Sequence, residues 1–251
     1  MTPLASSVAP SSITSPLPQP RRHPLKPGSP KESELIRYLD HGLNAVQLRV
    51  ENRLQKPAKD SSEIRGYQHF GEIERDIEPL IDVLWVSGSP NLQVPYLLNI
   101  ARSLTEYLPL FPASPKATFR LLDKLDLAFS SLLQGKDADK GEPLPGFENG
   151  RTVSITDKVR LKGIVDRTRL VVVRTLGDEL VDEEGEALVR EDEAMPNDDT
   201  VKFEGFENND SDDEEDDEDW KEAQIGRVYE RTIGELGDVL GGPPIGIITE
   251  E

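Results

Sequence analysis

The chain is 251 residues long, carries a net charge of −19, is 35% apolar and holds three histidines and no cysteine. Without cysteine there is no disulfide, no thiol nucleophile and no cysteine-ligated zinc site, and no stretch approaches the ~20 consecutive apolar residues that a membrane-crossing helix needs. The low apolar share, with 19 Gly and 20 Pro in clusters, predicts a core built from little more than half of the chain.

The first 28 residues, opening MTPLASSVAPSSITSPLPQP, lack the charged start and continuous apolar block of a signal peptide and read as a disordered Pro/Ser-rich tail. Its cluster Arg21, Arg22, His23 and Lys26 is compatible with a nuclear-import signal. Thr2 and Ser15 each precede a proline and are plausible proline-directed phosphorylation sites.

A helical domain is expected over residues 29–176. Three Ser-Pro pairs, at Ser29, Ser89 and Ser114, each precede an apolar-periodic segment. Serine is a good N-cap because its oxygen accepts from a free N–H of the first turn, and proline suits the next position. Ser29 with Glu32 adds a capping box. Ile36, Leu39, Leu43, Val46 and Val50 then step by three and four, giving a helix from Pro30 to about Leu54.

Phe70, Ile73, Ile77, Leu80 and Leu84 repeat the rhythm, with Pro79 predicting a kink or break. Leu97, Ile100, Leu104 and Tyr107 form a third stripe. Leu122, Leu125, Phe129 and Leu132 form a fourth, closed by Gly135. A fifth helix is expected from near Thr156 through Val159, Leu161, Ile164, Val165, Val171 and Val172. The β-branched run there would also suit a strand, but nothing is present for a strand to pair with.

Residues 177–222 form an acidic insert. From Asp178 to Glu222 there are 23 acidic residues against Arg190, Lys202 and Lys221, leaving 25 acidic and 26 basic residues elsewhere. One segment therefore holds the whole excess. A run of like charge that dense repels itself and buries too little apolar surface to offset its ordering entropy, so disorder is expected when it is free. A last amphipathic helix is expected over 223–241, through Ile225, Val228, Tyr229, Thr232, Ile233, Leu236 and Leu240, docked on the helical domain or else on a partner; residues 242–251 read as a flexible tail. The fold class is thus all-α: an irregular bundle of about five or six helices, with a disordered N-terminal tail and a long acidic disordered insert.

The motifs of catalysis are missing. There is no G-x-x-x-x-G-K-[ST], no G-x-G-x-x-G after a strand and no G-x-S-x-G. His41 and His69, with Asp40, Glu72 or Glu74, lack the spacing of a metal site, so no catalytic residue, metal or cofactor is assigned. The insert offers more. Phe203 and Phe206 precede its densest run, Asp212, Asp213, Glu214, Glu215, Asp216 and Asp217 lie within it, and Trp220 closes it. Such a pattern suits a basic protein partner, with charge steering the encounter and aromatic side chains supplying affinity and register. The alternative is a solubilising spacer with incidental aromatics. Direct nucleic-acid binding through this segment is disfavoured because it would repel phosphate. Ser211, followed by Asp212, Asp213 and Glu214, fits an acidophilic kinase site.

The stretch from Ile77 to Leu133, with GEPLPGF and TDKVRLKGIVDRTR further on, resembles a family of short filamentous-fungal proteins, some labelled meiotic recombination proteins. The resemblance covers residues 30–176 and the last helix. It carries over no functional residue, and the missing phosphate-binding loop restricts any role in recombination to an accessory one. The reading is a non-enzymatic helical adaptor or complex subunit, in the nucleus or cytoplasm with the nucleus favoured, whose acidic-aromatic segment binds a basic protein. The alternative is a purely structural subunit of a helical assembly. Oligomeric state and pathway are left open.

Overall fold

The computed structural model describes residues 17–54, 65–148, 150–177 and 211–240. These residues form α1 (Pro30–Glu51), α2 (Phe70–Val86), α3 (Pro90–Tyr107), α4 (Pro115–Gln134), α5 (Ile155–Leu176), α6 (Ser211–Arg227) and α7 (Glu230–Leu240), with short 3-10 turns after α1 and α3. No strand occurs among the described residues, only an isolated bridge between Lys136 and Pro143. The chain is all-α.

The serine caps hold in position but not uniformly in chemistry. Ser29 accepts from Glu32 N, and Glu32 returns the interaction to the N–H of Gly28. Ser89 and Ser114 also precede helices but make no capping hydrogen bond. The Ser89 hydroxyl is buried and engaged elsewhere, accepting from Leu25 N at 2.8 Å and donating to Ser87 O. Pro79 does not interrupt α2, which runs through it from Phe70 to Val86. The LVVV run is helical within α5, which Ser154 caps by accepting from Asp157 N.

Two expected boundaries move. Residues 17–28 do not belong to a free tail, because Leu25 is buried, Leu17 packs against the core and Arg21 N donates to the last carbonyl of α2, Val86 O. Two leucines among prolines bind the strap, and its backbone uses acceptors that the helix ends leave over. Residues 178–210 lie outside the described residues, but helix resumes at Ser211, inside the acidic run and ahead of the expected start at 223. The expected single last helix is two, α6 and α7, broken at Tyr229, whose φ of 57° is left-handed.

Helix α4 is the hub. Leu121, Leu122, Leu125, Ala128, Phe129 and Leu132 are buried along it, and so are Lys124, Asp126, Ser130 and Ser131. A helix buried around its circumference needs neighbours on every side, and α4 packs against α2, α3 and α7. Gly135, at φ +72°, ends it in the left-handed conformation. Helix α1 lies against α2. They cross closely at Gly42, where a Cβ would stand 2.6 Å from a methyl of Leu80. Helix α5 packs against α3, with a buried hydroxyl pair, Thr105 and Thr168, 2.7 Å apart between them.

Candidate partner-binding surface

The acidic run enters the fold as the start of a helix. Asp212, Asp213, Glu214, Glu215, Asp216 and Asp217 occupy the first two turns of α6, while its basic residues, Lys221 and Arg227, come later. That order suits the helix dipole, whose positive end attracts carboxylates. It opposes the mutual repulsion of the same groups. Ser211 is the first residue of the helix. Phe203, Phe206 and Ser15 lie outside the described residues.

Trp220 has an intramolecular partner. Its ring meets Phe119 of α4 edge-on, with centroids 5.6 Å apart, and Ile225 packs against the core one turn later. The acidic run is thereby joined at its C-terminal end to the hub helix. Beyond it, Val228 and Tyr229 are fully enclosed, and Arg169 of α5 donates to Val228 O at 3.1 Å. The Tyr229 ring lies 6.3 Å from that of Phe129, and burial raises its phenol above the ordinary range.

The corner is closed by Asp126. This carboxylate of α4 accepts from Thr232 N at 2.8 Å and Arg231 N at 3.2 Å, the first-turn N–H groups of α7. The Thr232 hydroxyl donates to Asp126 O. A side chain 105 residues away in sequence thus performs the task of an N-cap. Burial pushes the Asp126 carboxyl above the usual carboxylate range, partly offset by the hydrogen bonds from Thr232. Asp123, three residues earlier, is also raised, first by burial and then by the Asp126 charge.

A second polar network ties α2 to α4. Lys124 is buried and reaches Asp82 at 2.6 Å and Glu78 at 3.0 Å, while Arg120 lies 3.6 Å from Glu74. Burial raises the Glu74 carboxyl despite Arg120.

The residues weighed for a metal site have other roles. Asp40 accepts from the Tyr96 hydroxyl at 2.6 Å, and burial with that bond pushes the phenol up to about 12. Glu72 accepts from Gln68 N, which holds its carboxyl below the ordinary range. His69 stands at the N-terminus of α2, and His41 is exposed on α1. Among the described residues no group of three His, Asp or Glu converges on a metal position, and no helix is long and apolar enough to cross a membrane.

Sequence reasoning missed a groove of about 560 Å³ between α3 and α5. Pro95, Leu98 and Ile164 give it an apolar floor, and Arg102, Arg160 and Arg167 stand around it. The available signal was the repeat of Arg160, Arg167 and Arg174 at intervals of seven, which puts three guanidinium groups along one side of a helix.

The family model described as TFB6, subunit 11 of the general transcription factor TFIIH, matches residues 66–237, a span from just before α2 almost to the end of α7. An uncharacterised protein of Schizosaccharomyces pombe is 28% identical over 141 residues, 54% of this chain and 76% of its own length. The meiotic label suggested by the resemblance does not figure in either match. No solved structure matches.

Proposed function

The chain belongs to the TFB6 family, that of subunit 11 of the general transcription factor TFIIH, and from this premise we propose that it is a nuclear, non-enzymatic adaptor of a TFIIH-type assembly. Its acidic-aromatic segment, with Phe203, Phe206 and the run Asp212–Asp217, engages a basic protein surface within or beside that assembly. The observation that carries the reading is the extent of the match, residues 66–237, which takes in both the helical hub and the acidic arm. Physical support comes from the way the run leaves the core. Eight consecutive carboxylates, 212–219, are held on a helix that Trp220 and Ile225 attach to the bundle, so a disperse charge becomes an arm with a fixed root. Fixed placement sharpens electrostatic steering. Ser211 phosphorylation adds roughly two further charges at the helix N-terminus, where anions are stabilised.

The test is affinity purification of the full chain from its own cells, against a variant with residues 212–219 changed to Asn and Gln. The reading expects TFIIH subunits to co-purify with the full chain, to be lost at high salt, and to be depleted with the neutralised variant. Absence of TFIIH subunits from the full-chain purification would remove the adaptor role. Equal recovery with both chains would remove only the acidic segment from it and favour the spacer.

A further inference from the structure

We propose that the groove between α3 and α5 is a docking site for an acidic amphipathic helix of a partner protein. This surface is distinct from the acidic arm, and its case stands on different residues.

Helix α5 is apolar on two sides. Leu161, Val165, Val172 and Leu176 face the core, while Ile155 is 74% exposed, Val159 56%, Leu170 50% and Val173 51%. At 100° per residue these four fall within one narrow sector, well away from the buried face. Solvent-facing residues of a single-chain bundle are normally polar, and a second apolar stripe along a 22-residue helix marks a surface for another chain. The groove opens beside this stripe, over Leu98 and Ile164.

Gly163 lies at the join between groove and stripe. Inside a helix, glycine costs about 1 kcal/mol relative to alanine, and here the fold does not require it, since a Cβ at this position would meet nothing within 4 Å. What it leaves is a notch in the groove wall, open to a backbone or a large apolar side chain approaching from outside.

Charge identifies the occupant. Helix α5 holds six basic residues against Asp157 and Asp166, and three arginines, Arg102, Arg160 and Arg167, line the groove against two carboxylates, Glu106 and Asp157. Arg102 is paired with Glu106 at 3.1 Å and Arg160 with Asp157 at 3.5 Å. A helix with leucine-type anchors on one face and carboxylates beside them satisfies the floor, the notch and the guanidinium groups together. A nucleic acid matches less well, because its phosphates offer nothing to the exposed Ile155, Val159 and Leu170.

The test measures fluorescence anisotropy of a labelled peptide of about 15 residues, long enough at 1.5 Å per residue to lie along the groove, with Leu at helical spacing and Glu at the flanking positions. The full chain should bind it, more weakly at high salt, and a peptide of the same composition without the Leu stripe should bind at least ~10-fold more weakly. Arg160→Glu with Arg167→Glu should weaken binding at least ~10-fold. Gly163→Leu separates binding from folding: its Cβ meets nothing within 4 Å and it replaces a glycine inside a helix, so affinity should drop while the Tm holds or rises. The proposal would be overturned by no binding to the full chain, by equal affinity for the stripe-less peptide, or by displacement by a short DNA duplex. Binding seen only after neutralising the acidic residues of 178–210 would give the groove to the chain's own insert and also overturn it.

Discussion

Asp126→Ala tests the claim that α7 is held by a carboxylate from α4. The substitution removes the acceptor of Thr232 N and Arg231 N. Thr232 is fully buried, so its N–H is left without a partner, at about 1–3 kcal/mol for a stranded buried donor. Arg231 is exposed, so water takes over its N–H at little cost. One opposing effect reduces the total. Burial disfavours the Asp126 charge, and deleting it returns part of the loss. The balance is a destabilisation of about 2 kcal/mol, or about 4–8 °C in Tm at 2–4 °C per kcal/mol for a chain of this size. Thermal unfolding followed by circular dichroism gives the total, and amide hydrogen exchange locates it. The Arg231 and Thr232 amides should lose protection while those in α2 keep theirs. A Tm change below a degree with both amides still protected would refute the tertiary cap.

Trp220→Ala should destabilise by about 1–2 kcal/mol, because it removes the edge-on contact with Phe119 from a half-buried ring; denaturant unfolding would show it as a lower midpoint. Lys124→Met should cost about 3 kcal/mol, since it takes the buried cation from Asp82 and leaves Glu78 with the longer 3.9 Å contact to Arg120, and chemical denaturation reads the loss. The raised carboxyls of Asp126, Asp123 and Glu74 set a pH dependence. A folded state that binds protons more tightly than the unfolded chain gains stability that is complete below the ordinary carboxylate value and lost as pH rises through the raised ones. The Tm should therefore be higher near about pH 5 than about pH 7.5, with Asp126→Asn flattening the slope; a Tm that climbs across that interval contradicts the assignment.

The helices were legible because their information is local. Apolar residues at three- and four-residue steps, Ser-Pro starts and the Gly135 stop are each written within a few positions, and α1 to α5 follow them closely. The Tyr229 corner was not legible. Val228 and Tyr229 fit an amphipathic stripe, and only the long-range bonds of Thr232 and Arg231 to Asp126 make a new helix begin there. The strap at residues 17–28 was missed for the same reason: two leucines in a proline-rich stretch have no periodicity, and their partners are helix ends 64 residues away. The groove was hidden because its lining comes from two helices whose approach only the fold shows, Pro95, Leu98 and Arg102 on α3 and Arg160, Ile164 and Arg167 on α5.

Trp220 alters how the acidic segment has to be tested. From sequence alone Trp220 belongs with Phe203 and Phe206 as an anchor for a partner, and a deletion of 198–222 looks harmless to the fold. In the structure that deletion removes the ring packed on Phe119 and most of α6. A lost interaction would then report unfolding as readily as lost charge. Neutralising residues 212–219 keeps the helix register and Trp220 in place while removing eight charges, and it relieves like-charge repulsion worth about 0.2–0.5 kcal/mol per helical pair. The neutralised chain should therefore be at least as stable as the native one. A partner lost from a chain whose Tm is equal or higher was bound by the charge itself. Phe203→Ala with Phe206→Ala then asks what the aromatics add at constant charge. Loss of partner in the first variant and weakening in the second assigns steering to the run and affinity to the rings. Loss in the second alone would make the acid a spacer.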